Sequence, residues 1–242
     1  MKIKIFEKGF NYSQDGQGNR LVYHLQGCNM RCPWCSNPEG MSSSSSVCTE
    51  YDVDILVDEV LRSAAMFFDG GGVTLTGGEA TVHFNEVNAF LTKLKNAKIH
   101  TALETNGTHN RLQELSPLVD ELIVDLKHYD NAAHKEYTGF ENTTIISNIK
   151  KLSSSRDQLL IRITLINGFN ANEFDIDSFI TLLLSFNNPK LTVELLPYHE
   201  YGKDKWAMYG MQYKFTNGHV SHERLNEFSD RFKEKGINVV KT

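Results

Sequence analysis

Strand-forming and helix-forming runs take turns along this chain, and no other feature limits its fold so much. Strand-like runs fall at 20–25, 73–76, 100–103, 121–126, 159–165 and 191–196. Between them lie helical patterns, clearest where Val53, Leu56, Val57, Val60, Leu61 and Ala64 share one face and where Phe84, Val87, Phe90, Leu91 and Leu94 share another. The habit continues less regularly at Ile145, Ile149 and Leu152, at Phe179, Ile180 and Leu183, and at Leu225, Phe228 and Phe232. A parallel neighbour is reached only through a long crossover, usually a helix, so this alternation predicts an α/β fold with parallel strands. Six units are too few to close the usual eight-stranded barrel. The expected architecture is an open, partial (βα)6 barrel whose gap admits something larger than a metabolite. With no internal repeat and no Pro-rich or charge-rich linker, one domain over 1–242 is expected, its core at about 18–200 and a helix and strand at about 221–240.

Composition narrows the function. The 242 residues are 40% hydrophobic and 23% charged, which fits a globular chain and excludes disordered or collagen-like classes. Lys and Arg number 25 against 30 Asp and Glu, a net charge of -5, so a nucleic-acid partner is not expected. No run approaches the roughly 20 apolar residues of a membrane helix, and the N-terminus lacks the apolar centre of a secretory signal. The expected location is the cytoplasm, with no membrane partner. The serine run at 42–46 reads as a solvated loop.

Three of the four cysteines crowd into GCNMRCPWC directly after the first strand-like run. Cys28, Cys32 and Cys35 are separated by three and then two residues, which lets a loop fold their sulfurs around one centre. Four-iron clusters normally take four thiolates; three would leave one iron open to another ligand. Two other chemistries compete. Structural zinc would need Cys48 or His24 as a fourth ligand, but no second pair follows at finger spacing. A thiol-redox pair at Cys32 and Cys35 would leave Cys28 superfluous. Cys48, beyond the serine run, reads as an ordinary small apolar thiol.

The CxxxCxxC spacing, with Trp34 before its last cysteine, resembles the radical S-adenosylmethionine superfamily. Further along, TGGEAT at 76–81, ETNG at 104–107, VDLKHYD at 124–130 and ELLPYHEYGKDKW at 194–206 resemble that superfamily's glycyl-radical-enzyme activases, over about Phe10 to about Phe215. The resemblance implies a 4Fe-4S cluster on Cys28, Cys32 and Cys35, with S-adenosylmethionine on its open iron. It also implies a glycyl radical enzyme as partner, pyruvate formate-lyase first, and a flavodoxin- or ferredoxin-type electron donor.

The same resemblance gives roles to further residues. The turn Gly77, Gly78 and Glu79 would hold the amino end of the cofactor; the residues alone allow a plain β-turn. Trp34, Cys35, Ser36, Asp125, Leu126, Lys127 and His199 would line the cofactor. For Asp125 and Lys127, two apart on one strand face, a surface ion pair is the alternative, and for His199 a loop cap. Arg162 interrupts the apolar run LLIRITL and needs a carboxylate partner. By resemblance it faces the active site; an acidic neighbour is the alternative. Glu104, Thr105 and Asp125 fall where the activases place a monovalent cation, although the family usually has Asp where Glu104 stands. In the 15–20 loop Gln17 replaces the family's usual proline, which predicts a more flexible loop.

Overall fold

The protein is described from a computed structural model covering residues 1–156 and 158–240. Its nine strands are β1 (Lys2–Tyr12), β2 (Asn19–Leu25), β3 (Thr49–Asp52), β4 (Gly72–Gly77), β5 (Thr101–Thr105), β6 (Glu121–Asp125), β7 (Leu159–Leu165), β8 (Leu191–Pro197) and β9 (Asn238–Val240). They form one sheet in the order β3-β1-β2-β4-β5-β6-β7-β8-β9. From β2 to β9 every pairing is parallel; β1 runs antiparallel to β2, and β3 antiparallel to β1. Among the described residues no pairing joins β3 to β9, so the sheet stays open, an α/β partial barrel as expected.

Eight helices connect and cover the strands: α1 (Val53–Ser63), α2 (Phe84–Asn96), α3 (Leu112–Leu115), α4 (Asn131–Thr138), α5 (Thr143–Ser155), α6 (Glu173–Leu184), α7 (Lys203–Met208) and α8 (His222–Glu234). Their starts are capped by chemistry already visible in the residues. Asp52 accepts from the Asp54 amide, Asp130 from that of Ala133, and Ser221 from that of Arg224. Asn172 and Asp175 form a reciprocal capping box on α6.

The six expected strands are β2 and β4 to β8. The sheet nevertheless exceeds six strands: the short β9 falls within the C-terminal segment expected at about 221–240, whereas β1 and β3 have no counterpart among the expected strands. β1 begins in a Lys-Ile-Lys-Ile alternation that buries Ile3 and Ile5, and a bulge between Ile5 and Glu7 then breaks the period. β3 is the polar edge Thr-Glu-Tyr-Asp, with no periodic signal to read.

Alternation along the parallel strands sorts side chains to two faces. Val73, Leu75, Leu103, Val124, Ile161, Ile163 and Val193 belong to the apolar core, with Leu56, Val60, Phe90, Leu91, Ile149, Leu152, Phe179, Phe228 and Phe232 of the helices. Each such side chain, fully buried, stabilises the fold by roughly 1.5–3 kcal/mol. The alternate positions, Thr74, Thr76, Glu104, Asp125, Arg162, Thr164 and Glu194, are polar, and they give the barrel a charged interior.

The 15–20 loop, expected to be flexible, is instead fastened from inside. The buried Arg20 donates from Nη1 to the Gln17 carbonyl (3.0 Å), from Nε to Thr74 Oγ1 (2.7 Å) and from Nη2 to the Val73 carbonyl (2.8 Å). Thr74 Oγ1 in turn donates to the Asp15 carbonyl at 2.6 Å. These side-chain bonds replace the constraint a proline would have imposed. No helix among the described residues is long and apolar enough to cross a membrane.

Candidate cofactor site

Parallel strands deliver the loops at their C-terminal ends to one side of the sheet, where α/β barrels carry their chemistry. There a cleft of about 470 Å³ runs into the polar barrel interior. The loop after β2 contributes Cys28, Cys32, Trp34, Cys35 and Ser36, and the turn after β4 contributes Gly77, Gly78 and Glu79. Glu104 and Thr105 of β5, Asp125 and Lys127 at the end of β6, Arg162 of β7 and His199 after β8 complete the set. Leu126 stands apart. Its side chain is fully buried in the apolar core and its amide donates to the Arg162 carbonyl at 2.9 Å. Sequence reasoning passed over Thr76, Asn106 and Tyr198, which also line the cleft. The first two sat inside the TGGEAT and ETNG motifs, and strand period would have placed Thr76 on the Glu104 face.

Neighbours hold the cysteine loop on several sides. The Cys35 amide donates to the Cys32 carbonyl at 3.2 Å, and Trp206 Nε1 donates to the Cys35 carbonyl at 2.9 Å. The Trp34 ring packs against Phe169 and Phe215, with centroids 4.7 and 5.3 Å away. The Arg31 amide donates to the Thr138 carbonyl at the end of α4, at 2.8 Å.

All three sulfurs are free thiols. Burial pushes Cys28 up to about 11 and Cys35 up to about 12, and raises Cys32 as well. Such thiols stay protonated until a cation draws out the proton, which is how iron takes thiolate ligands. Among the described residues, no three Cys, His, Asp or Glu side chains gather around a point as ligands of one ion. Zinc needs that convergence. A four-iron cluster takes its protein thiolates on separate irons rather than on one ion, and this cleft is lined by three thiols, with Cys48 outside it. The donor set therefore fits a 4Fe-4S cluster.

His134 links this loop to pH. Its Nδ1 donates to the Phe140 carbonyl at 2.6 Å, while Nε2 is buried with no partner, on the helix whose end holds Arg31. Burial pushes its pKa from 6.5 down to about 4. The unfolded chain therefore takes the proton first, so the stability from neutral His134 is complete above about pH 6.5 and is lost as pH falls towards 4. Urea midpoints should drop across that window, and less steeply in His134→Gln; equal slopes in the two proteins would contradict this assignment.

The glycine turn is built by close packing. Gly77 has φ +121°, and a Cβ on Gly78 would collide with the carbonyl oxygens of Gly27 and Gly40. The Gly78 amide donates to the Leu25 carbonyl (2.9 Å) and the Glu79 amide to the Gly27 carbonyl (2.8 Å). These amides are spent on the chain itself. What the turn can offer is carbonyl oxygen, the acceptor a protonated amine requires. The Glu79 side chain is a buried tie between strand ends, accepting from Thr105 Oγ1 and the Asn106 amide, each at 2.6 Å.

Deeper in the cleft, Arg162 finds its carboxylate partners within the chain. Its Nη1 donates to Glu104 Oε1 at 2.7 Å and its Nε to Glu194 Oε2 at 2.6 Å. Lys127 Nζ pairs with Asp125 Oδ2 at 3.0 Å. Burial alone would lower Lys127, but the Asp125 carboxylate outweighs it and keeps the ammonium charged. Glu104 is occupied at both oxygens, since Oε2 accepts from Thr76 Oγ1 at 2.9 Å. The Thr105 hydroxyl donates to Glu79. Glu104, Thr105 and Asp125 thus share the cleft, with both Glu104 oxygens and Asp125 Oδ2 already accepting from neighbouring side chains.

The model of the radical SAM superfamily matches residues 22–178. The chain is 34% identical to the pyruvate formate-lyase-activating enzyme of Staphylococcus aureus, over 84% of each chain. It is 27% identical to the 4-hydroxyphenylacetate decarboxylase activating enzyme of Clostridioides difficile, over 92% of this chain and 90% of that one. Among solved structures, a domain of pyruvate-formate lyase-activating enzyme from Bacteroides vulgatus superimposes with a TM-score of 0.58 at 27% identity, covering 72% of this chain and 99% of that one. With a family model matched over more than half of its residues and a relative 34% identical over most of its length, the chain belongs to the radical SAM superfamily, among its glycyl radical enzyme activating enzymes.

Proposed function

We propose that this chain, working as one unit in the cytoplasm, activates pyruvate formate-lyase by generating a radical on a glycine of that partner. The observation that carries the proposal is the placing of three free thiols and the glycine turn on the walls of one cleft. When bound, a 4Fe-4S cluster and S-adenosylmethionine would supply one-electron cleavage and hydrogen-atom abstraction, with a flavodoxin- or ferredoxin-type protein as the electron source.

The protein's residues hold and orient. Cys28, Cys32 and Cys35 would hold the cluster through their thiolates, as the three cysteines of the cleft. Carbonyl oxygens of the Gly77-Gly78-Glu79 turn accept from the amino group, and the Lys127 ammonium stands ready for the carboxylate. Trp34, Ser36 and His199 wall the remainder of the cofactor. No acid-base pair is required, because the barrier is lowered by positioning reacting atoms at about 3–3.5 Å with water kept out.

The test is anaerobic incubation with reductant, S-adenosylmethionine and purified pyruvate formate-lyase. Expected are iron and sulfide in the protein, 5'-deoxyadenosine in solution and a glycyl-type electron-spin signal on the partner. Deoxyadenosine without that signal, and a signal on 4-hydroxyphenylacetate decarboxylase instead, would move the assignment to that partner. A colourless protein with stoichiometric zinc would replace it with a metal-stabilised binding module.

A further inference from the structure

Register places Asp125, Arg162 and Glu194 side by side on β6, β7 and β8. Arg162 is the central charge of that row, bound through Nη1 to Glu104 and through Nε to Glu194. Its side chain is 12% exposed and lines the cleft. Glu104 reaches it because its carboxylate stands one methylene further out than an aspartate's would. The other Glu104 oxygen is tied to Thr76, and Asp125 is tied to Lys127. A monovalent ion binding among Glu104, Thr105 and Asp125 would compete with the Arg162 guanidinium at Glu104 Oε1, the Thr76 hydroxyl at Glu104 Oε2 and the Lys127 ammonium at Asp125 Oδ2, each already at hydrogen-bond distance. A tethered guanidinium keeps its charge at any working pH and pays no entropy of capture.

We infer that Arg162 is the fixed cation of this cleft and Glu104 its positioning residue, so that S-adenosylmethionine binds without any requirement for K⁺ or Na⁺. The inference rests on the proposal that the cleft takes S-adenosylmethionine. At Glu104 an aspartate would fall short of Arg162 and return free oxygens beside Thr105 and Asp125, a donor set suited to a hard monovalent ion. Glu104→Asp should therefore create a cation requirement where the natural chain has none.

The experiment measures S-adenosylmethionine binding by equilibrium dialysis, on anaerobic cluster-loaded protein without reductant, so that nothing is cleaved. The salt is KCl, NaCl or tetramethylammonium chloride at equal ionic strength. The natural chain should bind equally in all three, within about twofold. Glu104→Asp should lose about tenfold in tetramethylammonium, the size of one charge-assisted hydrogen bond, and regain it on adding K⁺. A merely structural role for Glu104 would weaken binding alike in every salt, and that result would overturn the inference. So would a natural chain whose binding falls tenfold in tetramethylammonium and recovers with K⁺; this comparison decides the matter even if Glu104→Asp does not fold. Absence of binding in every salt, with iron and sulfide loaded, would instead refute the proposed function and take the inference with it.

Discussion

Cys32→Ala is expected to remain folded, load no stable 4Fe-4S cluster and form no measurable 5'-deoxyadenosine. The side chain is buried on the wall of the cleft, and removing one sulfur leaves only a small void, so the loss of stability should be about 1 kcal/mol. The loss of chemistry should be complete, because Cys28 and Cys35 can cover only two iron corners and no other cysteine lines the cleft. Cys28→Ala and Cys35→Ala should behave alike. Cys48→Ala should keep both cluster and cleavage, since that thiol lies outside the cleft. Iron and sulfide per chain, with deoxyadenosine by chromatography, measure the outcome. Full cleavage in Cys32→Ala would end the cluster assignment.

Gly78→Ala should destabilise the chain by about 4 kcal/mol or more, beyond the ordinary range for a single substitution. The added methyl would strike backbone on two sides, the carbonyl oxygens of Gly27 and Gly40, and no rotamer change can move a backbone carbonyl. Gly27 opens the cysteine loop and Gly40 ends a short 3-10 helix just beyond it, so the clash would spread to the thiols. Gly139→Ala supplies the comparison. That glycine has φ +77° with nothing within 4 Å of its Cβ, so only the left-handed backbone cost of about 1–2 kcal/mol applies. Urea unfolding of both variants checks the contrast; equal midpoints would mean that the turn is not packed against the cysteine loop as described.

Much of this arrangement was legible from residue pattern. The six strand-like runs became β2 and β4 to β8, because the core face of each strand keeps its apolar residues at alternate positions, a period that survives in sequence. The cysteine spacing located the cleft, since three thiols within eight residues leave little freedom. The unread parts share a cause. β1 and β3 lie at the margin of the sheet, where half-exposed residues lose their period, so nothing in Thr49–Asp52 distinguishes a strand from a loop. Pattern also could not say which partner satisfies which group. Arg162 in an apolar strand announced the need for a carboxylate, yet only cross-strand register identified Glu194 and the bend of the sheet supplied Glu104. The 15–20 loop shows the same limit: a missing proline was visible, while the buried guanidinium that does its work was not.

The open sheet has a consequence for solubility. A curved sheet that stops short of closure exposes two margins of unpaired amides and carbonyls, which invite pairing with another copy of the chain. Here the outermost strands are the four residues of β3, which carries Glu50 and Asp52, and the three of β9; beyond Ile5 the margin passes to β1, which bears Glu7 and Lys8. Stubby outer strands and charge-bearing borders give a neighbour little to zip onto, so the gap can remain available to a guest loop without seeding self-association.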